Sequence, residues 1–118
     1  MFEGFRTLRA VLRSLRIYYG NRERKTAMDR LYGQFLGRDD LAFDIGAHVG
    51  DRVASFRRLG ARVVAVEPQP ALVRVLRILY GRKRNVVIEA VLVGSSIGRA
   101  DLRINVDNPT ISTASSAF

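Results

Sequence analysis

Between residues 41 and 93 the apolar period of the chain keeps switching, and that alternation limits the fold more than any other feature of the sequence. "LAFDI" (41–45) is a short, mostly apolar run, "DRVASFRRL" (51–59) has helical spacing ended by Gly60, and "RVVAVE" (62–67) is β-branched and apolar. "ALVRVLRILYG" (71–81) is helical again with a glycine stop, and "NVVIEAVLV" (85–93) returns to strand. Strand, helix, strand, helix, strand, joined by connections of a few residues, predicts right-handed βαβ crossovers and a parallel sheet. "GRADLRINV" (98–106) alternates as a further strand, and from Asp107 "NPTISTASSA" reads as a polar loop or chain end.

The stretch before residue 38 is different. At roughly 100° per residue, Phe5, Leu8, Val11, Leu12, Leu15, Tyr18 and Tyr19 fall on one face of a helix, with Arg6, Arg9, Arg13 and Arg16 together on the other. This amphipathic helix is expected to end near Gly20-Asn21 and to pack its apolar face on the domain, leaving a solvated basic face that can also make weak contact with an anionic membrane. A second helix is expected over about residues 23–36, closed by Gly37 as a left-handed cap. The arginines interrupt every window long enough for a signal peptide or a membrane span, so the expected location is cytoplasmic.

Charge narrows the partners. The chain has 118 residues, the size of one small domain, and its 20 Lys+Arg against 11 Asp+Glu give +9, which raises nucleic acid, anionic membrane or phosphorylated substrates. Nucleic acid is disfavoured because the cations lack interleaved exposed aromatics or a binding module. Without cysteine there is no disulfide framework, thiol nucleophile or thiolate zinc site, and His48, the one histidine, cannot build a metal site alone.

In an open parallel sheet, ligands bind at the carboxyl ends of the strands. Three groups fall at such ends. "DIGAHVG" (44–50) runs from the first strand into the next helix, with Gly46 and Gly50 permitting a sharp turn and a close ligand approach. Glu67 ends the second strand, 17 positions beyond Gly50, and Pro68 holds it extended. A carboxylate there can accept the ribose hydroxyls of an adenosine cofactor. "EAVLVGSS" leaves the third strand where an adenine would lie. A dinucleotide fingerprint needs a second glycine at the position of His48, whose side chain would obstruct a pyrophosphate. S-adenosylmethionine carries ribose and adenine without phosphate and escapes that obstruction.

"FDIGAHVG", then "VVAVEPQP" after one helix, then "NVVIEAVLVGSSIGRADLRI" resembles the FkbM family of S-adenosylmethionine-dependent methyltransferases over about residues 38–118. The resemblance implies an α/β fold of the class I methyltransferase, Rossmann-like type: a three-layer, doubly wound parallel sheet, here ending after about four strands and preceded by the helical segment 1–37. It implies S-adenosylmethionine as cofactor, with Asp44, Gly46, Ala47, His48 and Gly50 around the methionine portion and Asp44 near its ammonium. It also implies that Glu67 holds the ribose hydroxyls, that Pro68 and Gln69 shape the same wall, and that Val91 and Leu92 flank the adenine. O-methylation of a sugar or natural-product hydroxyl is the implied activity, so a small-molecule or glycan acceptor is the expected partner, with no metal. No residue of the chain stands out as a catalytic base. Family catalytic domains are longer, so the chain reads as a cofactor-binding half whose exposed sheet edge and apolar face favour a homo-oligomer. Two alternatives stay open: an NAD-dependent oxidoreductase-like Rossmann domain, and a non-catalytic basic membrane-peripheral or adaptor domain.

Overall fold

A computed structural model describes residues 2–93, so the expected strand at 98–106 and the polar stretch after it lie outside the described residues. The order is α1 (Phe2–Tyr19), α2 (Arg22–Tyr32), β1 (Leu41–Ile45), α3 (Asp51–Arg58), β2 (Arg62–Val66), α4 (Pro70–Tyr80) and β3 (Val86–Glu89). The three strands form one parallel sheet in the order β1-β2-β3, with Asp44 beside Ala65 and Ala65 beside Ile88. This is the open, Rossmann-like parallel α/β arrangement that the alternating periods imply.

Sequential strand order places both crossover helices on one face of the sheet. Ala42, Val63, Ala65 and Val86 on that face pack with Val53 and Phe56 of α3 and Leu76 and Tyr80 of α4. The opposite face presents Leu41, Phe43, Ile45 and Val87, each about half exposed or more. β1 therefore alternates exposed and buried along its whole length, although its sequence is nearly all apolar.

The N-terminal helices are built into this unit. Tyr32 and the following Leu36 pack against the main core, and Asp29 of α2 accepts from Ser55 at 2.6 Å while pairing with Arg58 at 2.8 Å, both on α3. α1 packs Val11, Leu15, Tyr18 and Tyr19 against a second cluster that contains Val49 and Leu72. Its buried strip is narrower than its apolar arc: Ala10, Val11 and Ser14 are buried, but Leu8 and Leu12 are 53% and 55% exposed. Small residues at the contact let α1 approach closely, and the larger side chains on the flank are left outside.

Two boundaries differ from the sequence expectation. α2 stops at Tyr32, and Gly33 caps it in a right-handed conformation; the chain then turns, and the Gly37 N–H is taken by Asp40 Oδ2 at 2.8 Å. The left-handed residue in this connection is Asp39 (φ 67), a residue type that tolerates the region, and not Gly37. β3 is also shorter than 85–93, ending at Glu89 and leaving residues 90–93 irregular.

Candidate cofactor site

The site grows from the end of β1, where two glycines and a histidine turn the chain into α3. Gly46, His48 and Gly50 all have positive φ, at 75°, 56° and 86°. Two backbone donors anchor the turn to the neighbouring strand, since Gly46 N–H and Ala47 N–H both reach the Val66 carbonyl, at 2.8 and 2.9 Å. Ala47 is buried, and its carbonyl accepts from Gly50 N–H at 2.9 Å, closing the loop on itself.

The two glycines serve different ends. A Cβ at Gly46 would meet nothing within 4 Å, so that backbone faces open space. A Cβ at Gly50 would come within 2.8 Å of Leu76 and Tyr80 and 3.1 Å of the Tyr19 hydroxyl. Gly50 is glycine because two helices close on it, and the position where a ligand can meet bare backbone is Gly46.

Glu67 sits just past β2 and is only 3% exposed. Its carboxylate is held by the backbone, with Oε1 accepting from His48 N–H at 2.8 Å and Oε2 from Gln69 N–H at 3.0 Å. Each oxygen retains a second lone pair. Glu67 thus fixes the left-handed turn at His48 and the start of α4, where Gln69 is the buried N-cap, Pro70 the first helical residue, and Pro68 half-buried between them.

Asp44 is also 3% exposed, and its partners are fewer. Arg52 Nη2 pairs with Oδ1 at 2.9 Å and donates to the Gly46 carbonyl at 3.0 Å, clamping the strand end to the turn. Oδ2 is buried with no hydrogen-bond partner. Burial pushes the Asp44 carboxyl up to about 6, against the pull of Arg52 and with further upward pushes from Asp51 and Glu67. Three carboxylates therefore lie about this turn, and one buried oxygen among them, Asp44 Oδ2, is left without a donor.

His48 contributes its backbone to Glu67 and its ring to α1, edge-on to Tyr18 with 5.5 Å between centroids. Its Nε2 is buried without a partner, and burial lowers the imidazole below its usual value, so the ring is neutral at neutral pH. On the same side Tyr19 donates to the Val49 carbonyl at 2.7 Å and contacts Tyr80 Oη at 2.7 Å, while Tyr80 reaches the Gly50 carbonyl at 3.2 Å. Burial raises both phenols, so both remain protonated donors.

The structure thus gathers Asp44, Gly46, Ala47, His48, Gly50, Glu67 and Gln69 around one turn, with Pro68 adjoining. Val91 and Leu92 stand past the end of β3, close to half exposed in irregular chain. Sequence reasoning missed Arg52, Tyr18, Tyr19 and Tyr80. Arg52 carried a signal, because a cation in the first turn of a helix opposes the dipole and must find compensation elsewhere. The tyrosines carried a weaker one: a buried phenol needs a hydrogen-bond partner, but the sequence does not say which. Among the described residues, no three His, Asp or Glu side chains are grouped so as to hold a metal ion.

No family model matches the chain, so the resemblance to the FkbM family rests on the quoted motifs alone. No curated relative matches it either. Among solved structures it is similar to the precorrin-6y C5,15-methyltransferase of Geobacter metallireducens GS-15, with a TM-score of 0.48 and 22% identity over 58% of this chain. The match takes in 37% of that methyltransferase, so this chain spans little more than a third of its length, and a likeness of that degree bears on neither ligand nor reaction.

Proposed function

We propose that the chain is the cofactor-binding part of an S-adenosylmethionine-dependent methyltransferase. The observation that carries the reading is the buried, donor-poor Oδ2 of Asp44, set among Glu67 and Asp51 beside the open backbone of Gly46. A buried acceptor without a donor is costly. A ligand ammonium would satisfy it, and an excess of carboxylates favours a ligand that is cationic at this end. Glu67 would accept ribose hydroxyls with the lone pairs its backbone donors leave free. When bound, the sulfonium supplies an activated methyl group, and these residues supply binding and alignment.

The same charges weigh against a dinucleotide. A pyrophosphate at the α3 amino end would face Asp51, which already fills the first turn and pairs with Arg24 at 2.9 Å, and the carboxylates of Asp44 and Glu67. The family resemblance extends the reading to hydroxyl groups of sugars or natural products as methyl acceptors, with the acceptor pocket and any base supplied by residues other than those described.

Calorimetric titration with S-adenosylhomocysteine and with NAD tests the reading, using the wild-type chain and Asp44→Asn. S-adenosylhomocysteine is expected to bind more tightly than NAD and to lose about tenfold affinity or more in the variant, a change of about 1.4 kcal/mol. Preference for NAD, or equal affinity in a folded Asp44→Asn, would overturn it.

A further inference from the structure

We infer that α1 is a docking surface for an anionic lipid bilayer, lying flat on it while its inner strip stays packed on the domain. The arginines Arg6, Arg9, Arg13 and Arg16 are all exposed and fall within about 80° of arc on the helix. Leu12 stands at the edge of the same stripe. Beside the arginines stand Leu8, Leu12 and Ile17, exposed by 53%, 55% and 55%. Single exposed apolar residues need no explanation, but three on one helix, flanking a pure arginine stripe on both sides, form a basic amphipathic surface.

Charge and chemistry select the occupant. The stripe has no acidic residue among its described positions from Arg6 to Tyr19, and the chain as a whole carries +9, so the surface is complementary to an anion. A stripe that reads nucleic acid would interleave aromatic or hydrogen-bonding side chains for base contact. Among the described side chains, those that flank the stripe, Leu8, Leu12 and Ile17, are aliphatic, and they suit the acyl boundary below a layer of phosphate headgroups. No described helix is long and apolar enough to cross a membrane, so the contact is peripheral.

The contact also reaches the turn at residues 46–50. The inner side of α1 holds that turn through Tyr19 on the Val49 carbonyl and Tyr18 against His48, so the docked helix and the turn form one packed unit. A bilayer under α1 would hold the turn at a fixed orientation to the membrane plane, which suits an acceptor presented there.

Co-sedimentation of the chain with vesicles of phosphatidylcholine alone, or mixed with phosphatidylserine, tests the inference. Binding is expected to the mixed vesicles only and to weaken with salt. An Arg9→Ser, Arg16→Ser variant should bind about thirtyfold more weakly. A Leu8→Ser, Leu12→Ser variant, of unchanged charge, should also lose most binding, and because these side chains are exposed it should melt like the wild type. If it melts lower, Ile17→Ser replaces it. Failure to bind mixed vesicles would overturn the inference. So would leucine and isoleucine variants that bind as the wild type does, since adsorption would then reflect net charge alone. Tighter binding to single-stranded RNA with the same arginine dependence would assign the surface to nucleic acid instead.

Discussion

At the tips of β1 and β2 stand two carboxylates of equal burial and opposite circumstance. Glu67 accepts a backbone N–H on each oxygen, one from His48 and one from Gln69. Asp44 has Arg52 on one oxygen and nothing on the other, and its carboxyl is pushed up to about 6. A satisfied buried charge organises structure, whereas an incompletely satisfied one stores a tendency to bind whatever completes it. Glu67 on this view builds the turn, and Asp44, buried at the end of β1, is left one partner short.

The sharpest way to break the comparison is to remove Glu67. Glu67→Ala leaves two N–H groups without acceptors, and hydrogen bonds to a charged group contribute about 1.5–3 kcal/mol each, so a loss of about 4 kcal/mol is expected in urea denaturation. Glu67→Gln keeps one acceptor oxygen and should lose less. A Glu67→Ala chain as stable as the wild type would mean that the carboxylate does not hold the turn.

Asp44 should behave in the opposite sense. Its folded-state value near 6 lies above the unfolded value near 4, so the protonated acid is favoured by folding. The stability it contributes is complete below about pH 4 and is lost as pH rises through about 6. Asp44→Asn keeps the shape without the charge, and at pH 7.5 it should be more stable than the wild type by about 2–3 kcal/mol. That gain should vanish by pH 4. Burial lowers His48, whose contribution is therefore present above about 6.5 and lost as pH falls, so the difference between wild type and variant, not either curve alone, isolates Asp44. A difference that does not change with pH would remove the contrast with Glu67.

The contrast between held and open repeats in the two glycines. Gly50→Ala drives a methyl into Leu76 and Tyr80 at a left-handed position, whereas Gly46→Ala incurs the backbone strain alone. Overpacking costs about 1–3 kcal/mol, so Gly50→Ala should be less stable than Gly46→Ala by about 2 kcal/mol in the same denaturation series. Gly46→Ala should weaken S-adenosylhomocysteine more than it weakens the fold. The reverse ranking would put the ligand approach on the other side of the turn.

What the sequence disclosed and what it withheld divide along similar lines. Periodicity alone located β1, α3, β2 and α4 within a residue or so, because glycine stops and period changes are local. It also placed Asp44 and Glu67 at neighbouring strand tips, because parallel order follows from short crossovers. It did not reveal which apolar residues of α1 would be buried, since Leu8 and Leu12 match Val11 in hydropathy and differ only in what α4 leaves room for. Nor did it reveal that Gly33, and not Gly37, ends α2, since both glycines can stop a helix and the Asp40 carboxylate that engages Gly37 is a contact formed after the helix has stopped. The Tyr19–Tyr80 contact joins residues 61 positions apart and left no trace in any local pattern.

The smallest expected effect asks whether Arg52 tunes Asp44 or merely ties down the turn. Among the described residues Arg52 is the cation that pulls the Asp44 carboxyl down, so Arg52→Ala should move it further up from about 6. The ammonium of S-adenosylhomocysteine calls for an ionised partner, so affinity should fall as pH drops through that value and level off above it. In Arg52→Ala the levelling should shift to higher pH, giving an affinity a few-fold weaker than wild type at pH 7 and nearly equal at pH 8.5. A turn that had only lost its tether to the Gly46 carbonyl would bind more weakly by the same factor at every pH. Titrations across that range separate the two: a parallel drop makes Arg52 a brace like Glu67, and a displaced curve makes it the partner that keeps Asp44 charged and ready to bind.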